Sequence, residues 1–200
     1  MSKYHIPLTP GTAYHVYNHA VGYDNLFREP VNYDYFMDRY KHFLSEWIIT
    51  YAYCLLPNHF HFIIEIPKFE ETGLPKKMEN KYTEMLSRQF ANFFQSYSQS
   101  FNKYYQRKGS LFRQNFKRKE IDSDDYFMTL VLYIHFNPVN HEFAVNLDDW
   151  IYSSYHEIMN NPEKRLLTGN LLQRFGDLER FKKFHNYNLH SEFIVEFEQE

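Results

Sequence analysis

Two histidines stand two residues apart in an apolar run, His59 and His61 in "CLLPNHFHFIIEIP" (54–67). On a strand, side chains at i and i+2 share a face. Both imidazoles therefore point one way, and Phe60 and Phe62 point the other. Neutral imidazole is a common ligand for divalent metals. Histidines that are merely packed and hydrogen-bonded give the same pattern, so the pair alone leaves both readings open. A second set lies in "YIHFNPV" (133–139). On a helix, Tyr133 and Asn137 share a face, with Cβ atoms about 6 Å apart. Asn137 offers an oxygen to complete a metal site. Tyr133 offers a nucleophilic hydroxyl one turn away. His135 points elsewhere and reads as structural, and His15, His19 and His141 read as structural or surface residues. Glu65 shares the face of His59 and His61 and is a candidate partner behind the ligands.

These residues need elements to hold them. "TAYHVYNHAVG" (12–22) reads as a strand that ends at a turn near Gly22. "EPVNYDYFMDRYKHFLSEW" (29–47) has apolar residues three and four apart, the pattern of an amphipathic helix. "WIITYAYCLLP" (47–57) and "HFHFIIEI" (59–66) flank Pro57-Asn58 and predict an antiparallel hairpin. A polar loop (68–81) leads to a long amphipathic helix over 82–105, and Gly109 introduces a basic strand over 110–121. "DSDDYFMTLVLYIHFNPV" (122–139) opens with N-cap residues and predicts a helix to Asn137, because Pro138 disfavours helix at the residue before it. The order strand, helix, strand, strand, helix, strand, helix predicts an α+β fold with an antiparallel or mixed sheet and helices on one side. Short helices follow, including "LLQRF" and "DLERFKKFH", and the acidic tail "EFIVEFEQE" reads as an extra strand or an exchanged arm.

The net charge of −3 excludes a chain that is basic throughout. The segment from Lys103 to Lys119 nevertheless holds Lys103, Arg107, Lys108, Arg113, Lys117, Arg118 and Lys119, with no acidic residue. Aromatic residues are interleaved among them, and 20% of the whole chain is aromatic, more than core packing alone needs. Such a stripe suits phosphate neutralisation with rings stacked on bases; a solvated strand and loop is the bland alternative. One cysteine excludes an intramolecular disulfide framework and a Cys-rich zinc site. No run approaches the ~18–20 apolar residues of a membrane helix, and the N-terminus carries no signal-like apolar run. A soluble protein of the cytoplasm, with no membrane partner, is the expectation.

Taken together, "YHVYNHAV", "LPNHFHFII", "KGSLFRQNFKRKEIDSDDY" and "YIHFNPV", in that order, resemble the single-tyrosine HUH transposases, and among them the REP-associated tyrosine transposases. "DWIYSSYHEI" (149–158) resembles the segment after their catalytic core. The likeness runs from about residue 12 to 158, and more faintly to 185. It implies a ferredoxin-like HUH fold, with a catalytic domain over 1–145 and a helical extension and tail over 146–200. It implies Tyr133 as nucleophile, His59, His61 and Asn137 as ligands of Mg²⁺ or Mn²⁺, and single-stranded or hairpin DNA as partner, along with a homodimer. It also implies cleavage and rejoining through a covalent 5′-phosphotyrosine. The first strand departs from the family in carrying His19 where relatives often have arginine. Tyr126 shares the helix face of Tyr133 and reads as a core or DNA-contacting residue. Two other readings stand beside this one: a hairpin-binding relative that does not cut, and a metal-dependent hydrolase, which leaves Tyr133 without a role.

Overall fold

The computed structural model describes residues 7–160 and 169–187. Four strands, β1 (Ala13–His19), β2 (Ile49–Leu56), β3 (His59–Glu65) and β4 (Lys117–Ile121), form one sheet in the order β2-β3-β1-β4. Every neighbouring pair is antiparallel. Helices α1 (Pro30–Leu44) and α2 (Tyr82–Tyr104) connect β1 to β2 and β3 to β4, and α3 (Asp124–Asn140) follows β4. This is the expected element order, and Pro57-Asn58 forms the tight turn of the β2–β3 hairpin.

The central strands are buried on both faces, and each face has its own core. On the first, α1 and α2 lay Phe36, Tyr40, Phe90, Phe93 and Tyr97 over Tyr14, Val16, Phe60 and Phe62. The contacts are ring on ring: Tyr40 stacks on Phe62 at 4.4 Å and Phe36 meets Phe93 edge-on at 4.9 Å. The large aromatic share is thus mostly core, with Tyr23, Tyr104, Phe143 and Tyr187 among the exceptions.

Helices on one side is the expectation that needs correcting. The second face is covered by α3, α4 (Ser154–Asn160), α5 (Gly169–Phe175) and α6 (Leu178–Tyr187). The physical reason is legible in two segments. The strands β2 and β3 are nearly continuous apolar runs, so Cys54, Leu56 and Ile63 need cover as much as Phe60 and Phe62 do. Helix α3 is buried all the way from Leu130 to Pro138 because it is sandwiched between the sheet and the later helices.

Three local expectations also shift. Helix α3 runs past Pro138 to Asn140. Pro138 lies in the last turn, where its missing N–H costs one bond, and its carbonyl closes the end by accepting from Phe143 N at 2.8 Å. The basic strand is only β4. Residues 110–116 are irregular, with Gly109 and Asn115 at φ 89° and 61°, and are tied to the end of β1 by Val21 N to Leu111 O and Arg113 N to His19 O. The polar loop holds two short 3-10 turns, Phe69–Glu71 and Lys76–Lys81. The acidic tail lies outside the described residues.

His135 has the structural role expected of it. Tyr53 N donates to Ser154 Oγ at 2.8 Å, Ser154 Oγ lies 2.7 Å from His135 Nε2, His135 Nδ1 lies 2.8 Å from His185 Nε2, and His185 Nδ1 lies 2.8 Å from the Phe181 carbonyl. A carbonyl only accepts, so His185 Nδ1 donates. A neutral His185 then accepts from His135 Nδ1, and His135 Nε2 accepts from the Ser154 hydroxyl. The chain ties α3, α4 and α6 to β2 with both imidazoles neutral. Burial lowers the pKa of His185 to about 4 and holds that of His135 well down. Unfolding frees both to bind protons, so their contribution to stability is complete above about pH 6.5 and is lost as pH falls toward 4. The urea-unfolding free energy should fall by about 1.4 kcal/mol per pH unit for each such histidine across that window. His185→Gln should flatten the slope, and a wild-type profile that is flat from pH 7 to 5 would contradict the assignment.

Candidate active site

The site lies on the second face, where β1 ends and β3 begins. His59 and His61 share this face, as their spacing predicts, while Phe60 and Phe62 enter the opposite core. The two imidazoles meet edge-on with centroids 5.1 Å apart. The register sets Tyr17 of β1 opposite His61 and His19 opposite His59. His19 stacks on His59 at 4.8 Å, and Tyr17 stacks near His61 at 5.6 Å.

Helix α3 brings the other two residues onto this pair. Ser123 caps its start, its Oγ accepting from Tyr126 N. From that start the helical repeat turns Tyr133 and Asn137 toward the sheet. The Tyr133 ring stands edge-on to His61 at 5.4 Å and to His15 at 6.3 Å. Asn137 Oδ1 lies 3.0 Å from His59 Nε2. All four are buried, with Tyr133 only 4% exposed. Glu65 does not join them; it accepts from the Tyr51 hydroxyl at the far end of β3.

The hydrogen bonds of His59 do not close. Its Nδ1 lies 2.7 Å from Asn58 Oδ1 and its Nε2 faces Asn137 Oδ1. Both partners are acceptors, so only an imidazolium satisfies both. Burial, reinforced by His19, lowers the His59 pKa to about 3 despite the Asn137 contact. A neutral His59 therefore sets one lone pair against another. Rotation of the Asn137 amide relieves this, and so does a cation between the two atoms. His61 Nε2 and Asn137 Nδ2 are buried without hydrogen-bond partners among the described residues. Burial and the surrounding histidines hold the His61 pKa well down, so it too is neutral, as a ligand must be. Among the described residues no three His, Cys, Asp or Glu side chains form a metal cluster; the donors are two imidazoles and one amide.

The basic stripe is not one surface. Lys117 and Lys119 pair with Tyr17 and His15 in register and so share the histidine face. Their ammonium groups lie over the rings of Tyr17 at 5.4 Å and Tyr126 at 5.0 Å. Arg113 is exposed, and its charge, with that of Lys117, adds to burial in lowering the His19 pKa to about 4. Arg118 faces the other way and lies half-buried over Phe116. Arg107 is half-buried and tied down, 2.6 Å from Asp24 and 2.7 Å from the Ser110 carbonyl. Lys103 and Lys108 are exposed at the end of α2 and just beyond it.

Four residues join the cluster without having been marked as site residues. His15 Nε2 lies 2.9 Å from His61 Nδ1, the His141 ring is 5.2 Å from that of His59, and Tyr17 and His19 stack as described. His15, Tyr17 and His19 alternate along β1, a signal of the same kind as His59 and His61. It becomes informative only once β1 is known to lie beside β3.

Comparisons with known proteins bear on the fold and on sequence likeness. No family model matches the chain. A protein of Haemophilus influenzae named as a REP-associated tyrosine transposase is 27% identical over 109 residues, which is 54% of this chain and 58% of that relative's length. A solved REP-associated tyrosine transposase bound to a REP hairpin superposes with a TM-score of 0.59, at 16% identity, over 84% of this chain and 90% of its own. In sequence this chain is similar to a REP-associated tyrosine transposase, and its four-stranded antiparallel sheet with packed helices is the fold of one.

Proposed function

We propose that the chain is a metal-dependent tyrosine transposase that cleaves and rejoins single-stranded or hairpin DNA through a covalent 5′-phosphotyrosine. One observation carries the reading: α3 sets Tyr133 edge-on to His61 at 5.4 Å while its next turn sets Asn137 Oδ1 3.0 Å from His59 Nε2. A nucleophile and the donors of a cation site thus occupy one place. His59, His61 and Asn137 would hold Mg²⁺ or Mn²⁺, and imidazole favours Mn²⁺. When bound, the cation withdraws charge from a phosphodiester and orients it.

The reaction follows from the groups in place. The Tyr133 hydroxyl oxygen attacks phosphorus and loses its proton to solvent. The new O–P bond replaces the bond from phosphorus to the 3′-oxygen, which takes up a proton and leaves as a 3′-OH. The phosphotyrosine retains the bond energy, so a second 3′-OH reverses the step on another strand without ATP. Lys117, Lys119 and Arg113 supply the positive charge that holds the DNA backbone on this face. Tyr133 is 4% exposed, so DNA has to reach it through a local rearrangement of the chain.

Incubation with labelled hairpin DNA and Mn²⁺ tests the reading: a protein–DNA adduct should survive a denaturing gel. Burial of Tyr133 is also what a non-cutting hairpin binder would show. Tight binding with no adduct at any divalent metal concentration would favour that second reading.

The split of the basic stripe sharpens a further test. Replacing Arg113, Lys117 and Lys119 together with alanine should lower the slope of log affinity against log salt by about 2, at about 0.7 per phosphate contact for single strands. An unchanged slope would move the binding surface off this face. No helix among the described residues is long and apolar enough to cross a membrane.

A further inference from the structure

We infer that His15 is a positioning residue that fixes the ring and tautomer of His61 for cation binding, an inference that rests on the cation reading above. His15 is 2% exposed on β1, with its Nε2 2.9 Å from His61 Nδ1. Its ring stacks on Tyr17 at 4.6 Å and lies nearly parallel to His61, at 20°. The remaining nitrogens, His15 Nδ1 and His61 Nε2, are buried and have no hydrogen-bond partner among the described residues.

One proton lies between His15 and His61, and two arrangements are open. With the proton on His15 Nε2, His61 carries its own proton on Nε2. His61 then has no lone pair at Nε2 to offer a cation. With the proton on His61 Nδ1, His15 accepts it and the buried His61 Nε2 keeps its lone pair. Only the second arrangement makes His61 a ligand. It requires an acceptor at Nδ1, and His15 Nε2 is the atom in place. A metal-bound histidine whose other N–H has a fixed acceptor is oriented and made more basic by it. Asn58 Oδ1, at 2.7 Å from His59 Nδ1, gives the other histidine the same support, so the two ligands have matched partners from different elements.

Mn²⁺ binding to the whole chain, followed by electron paramagnetic resonance without DNA, tests this apart from any activity. His15→Phe keeps a flat, stacked ring and removes the acceptor. It should weaken Mn²⁺ about 10–100-fold. His15→Gln restores an oxygen acceptor and should recover most of that loss, which a purely structural role would not do. Affinity in His15→Phe equal to wild type, with binding lost in His59→Ala, overturns the role of His15 and leaves the cation reading standing. Binding that is the same in wild type and His59→Ala overturns the cation reading and this inference with it. If His15→Phe does not fold, the nitrogen NMR spectrum of Mg²⁺-loaded wild type decides. A His61 proton on Nδ1 supports the inference, and one on Nε2 overturns it.

Discussion

Tyr133→Phe should abolish covalent attachment to DNA while leaving the fold and hairpin binding in place. The change removes one oxygen and keeps the ring, so the edge-on contacts with His61 and His15 survive. Loss of a buried hydroxyl costs about 1 kcal/mol, too little to unfold a domain of ordinary stability. The chemical loss is far larger. Phenylalanine has no nucleophile, and water at the same place would release the strand without an adduct. Strand cleavage with transfer should fall by at least about 1,000-fold, equal to about 4 kcal/mol of transition-state stabilisation. The melting temperature and the affinity for uncut hairpin DNA check that the loss is chemical. Cleavage within about threefold of wild type would remove Tyr133 from the mechanism.

His59→Ala should have the second largest effect, and of a different kind. Tyr133 stays where it is, but the site loses an imidazole that contacts both Asn58 and Asn137. Charge withdrawal by a bound cation is worth several kcal/mol, so cleavage should fall by about 10²–10⁴-fold, and excess Mn²⁺ should not restore it. Hairpin binding at fixed salt should change little, because the change leaves untouched Arg113, Lys117 and Lys119, the residues proposed to hold the DNA backbone. The two variants are therefore separable. Tyr133→Phe should still bind Mn²⁺, and His59→Ala should not. Metal-independent cleavage by the wild-type protein would contradict the role given to His59.

The alternation of strand residues and the repeat of helix residues were enough to bring His59, His61, Tyr133 and Asn137 to one place in the fold. His59 and His61 share a face because they are two apart, and Tyr133 and Asn137 share one because they are four apart. Their meeting depends on where α3 lies, and one-sided helices would have complicated it. The all-round apolar character of α3 is what shows that it is covered on both sides. The meeting of these four residues was thus more legible than the contacts behind them. His15 reaches His61 only through the pairing of β1 with β3, which no local pattern specifies. Charge counting along 103–119 had a similar limit. It found the positive segment but not the register that turns Lys117 and Lys119 to one face and Arg118 to the other, nor the ion pair that holds Arg107 on Asp24.

The central claim is that one named oxygen becomes bonded to DNA. Mass spectrometry of the proteolysed adduct, formed with hairpin DNA and Mn²⁺, addresses it most directly. The account predicts a 5′-phosphonucleotide on Tyr133, in the peptide containing "YIHFNPV". Attachment at Tyr126 or any other residue, or strand cleavage with no phosphotyrosine at all, would contradict it.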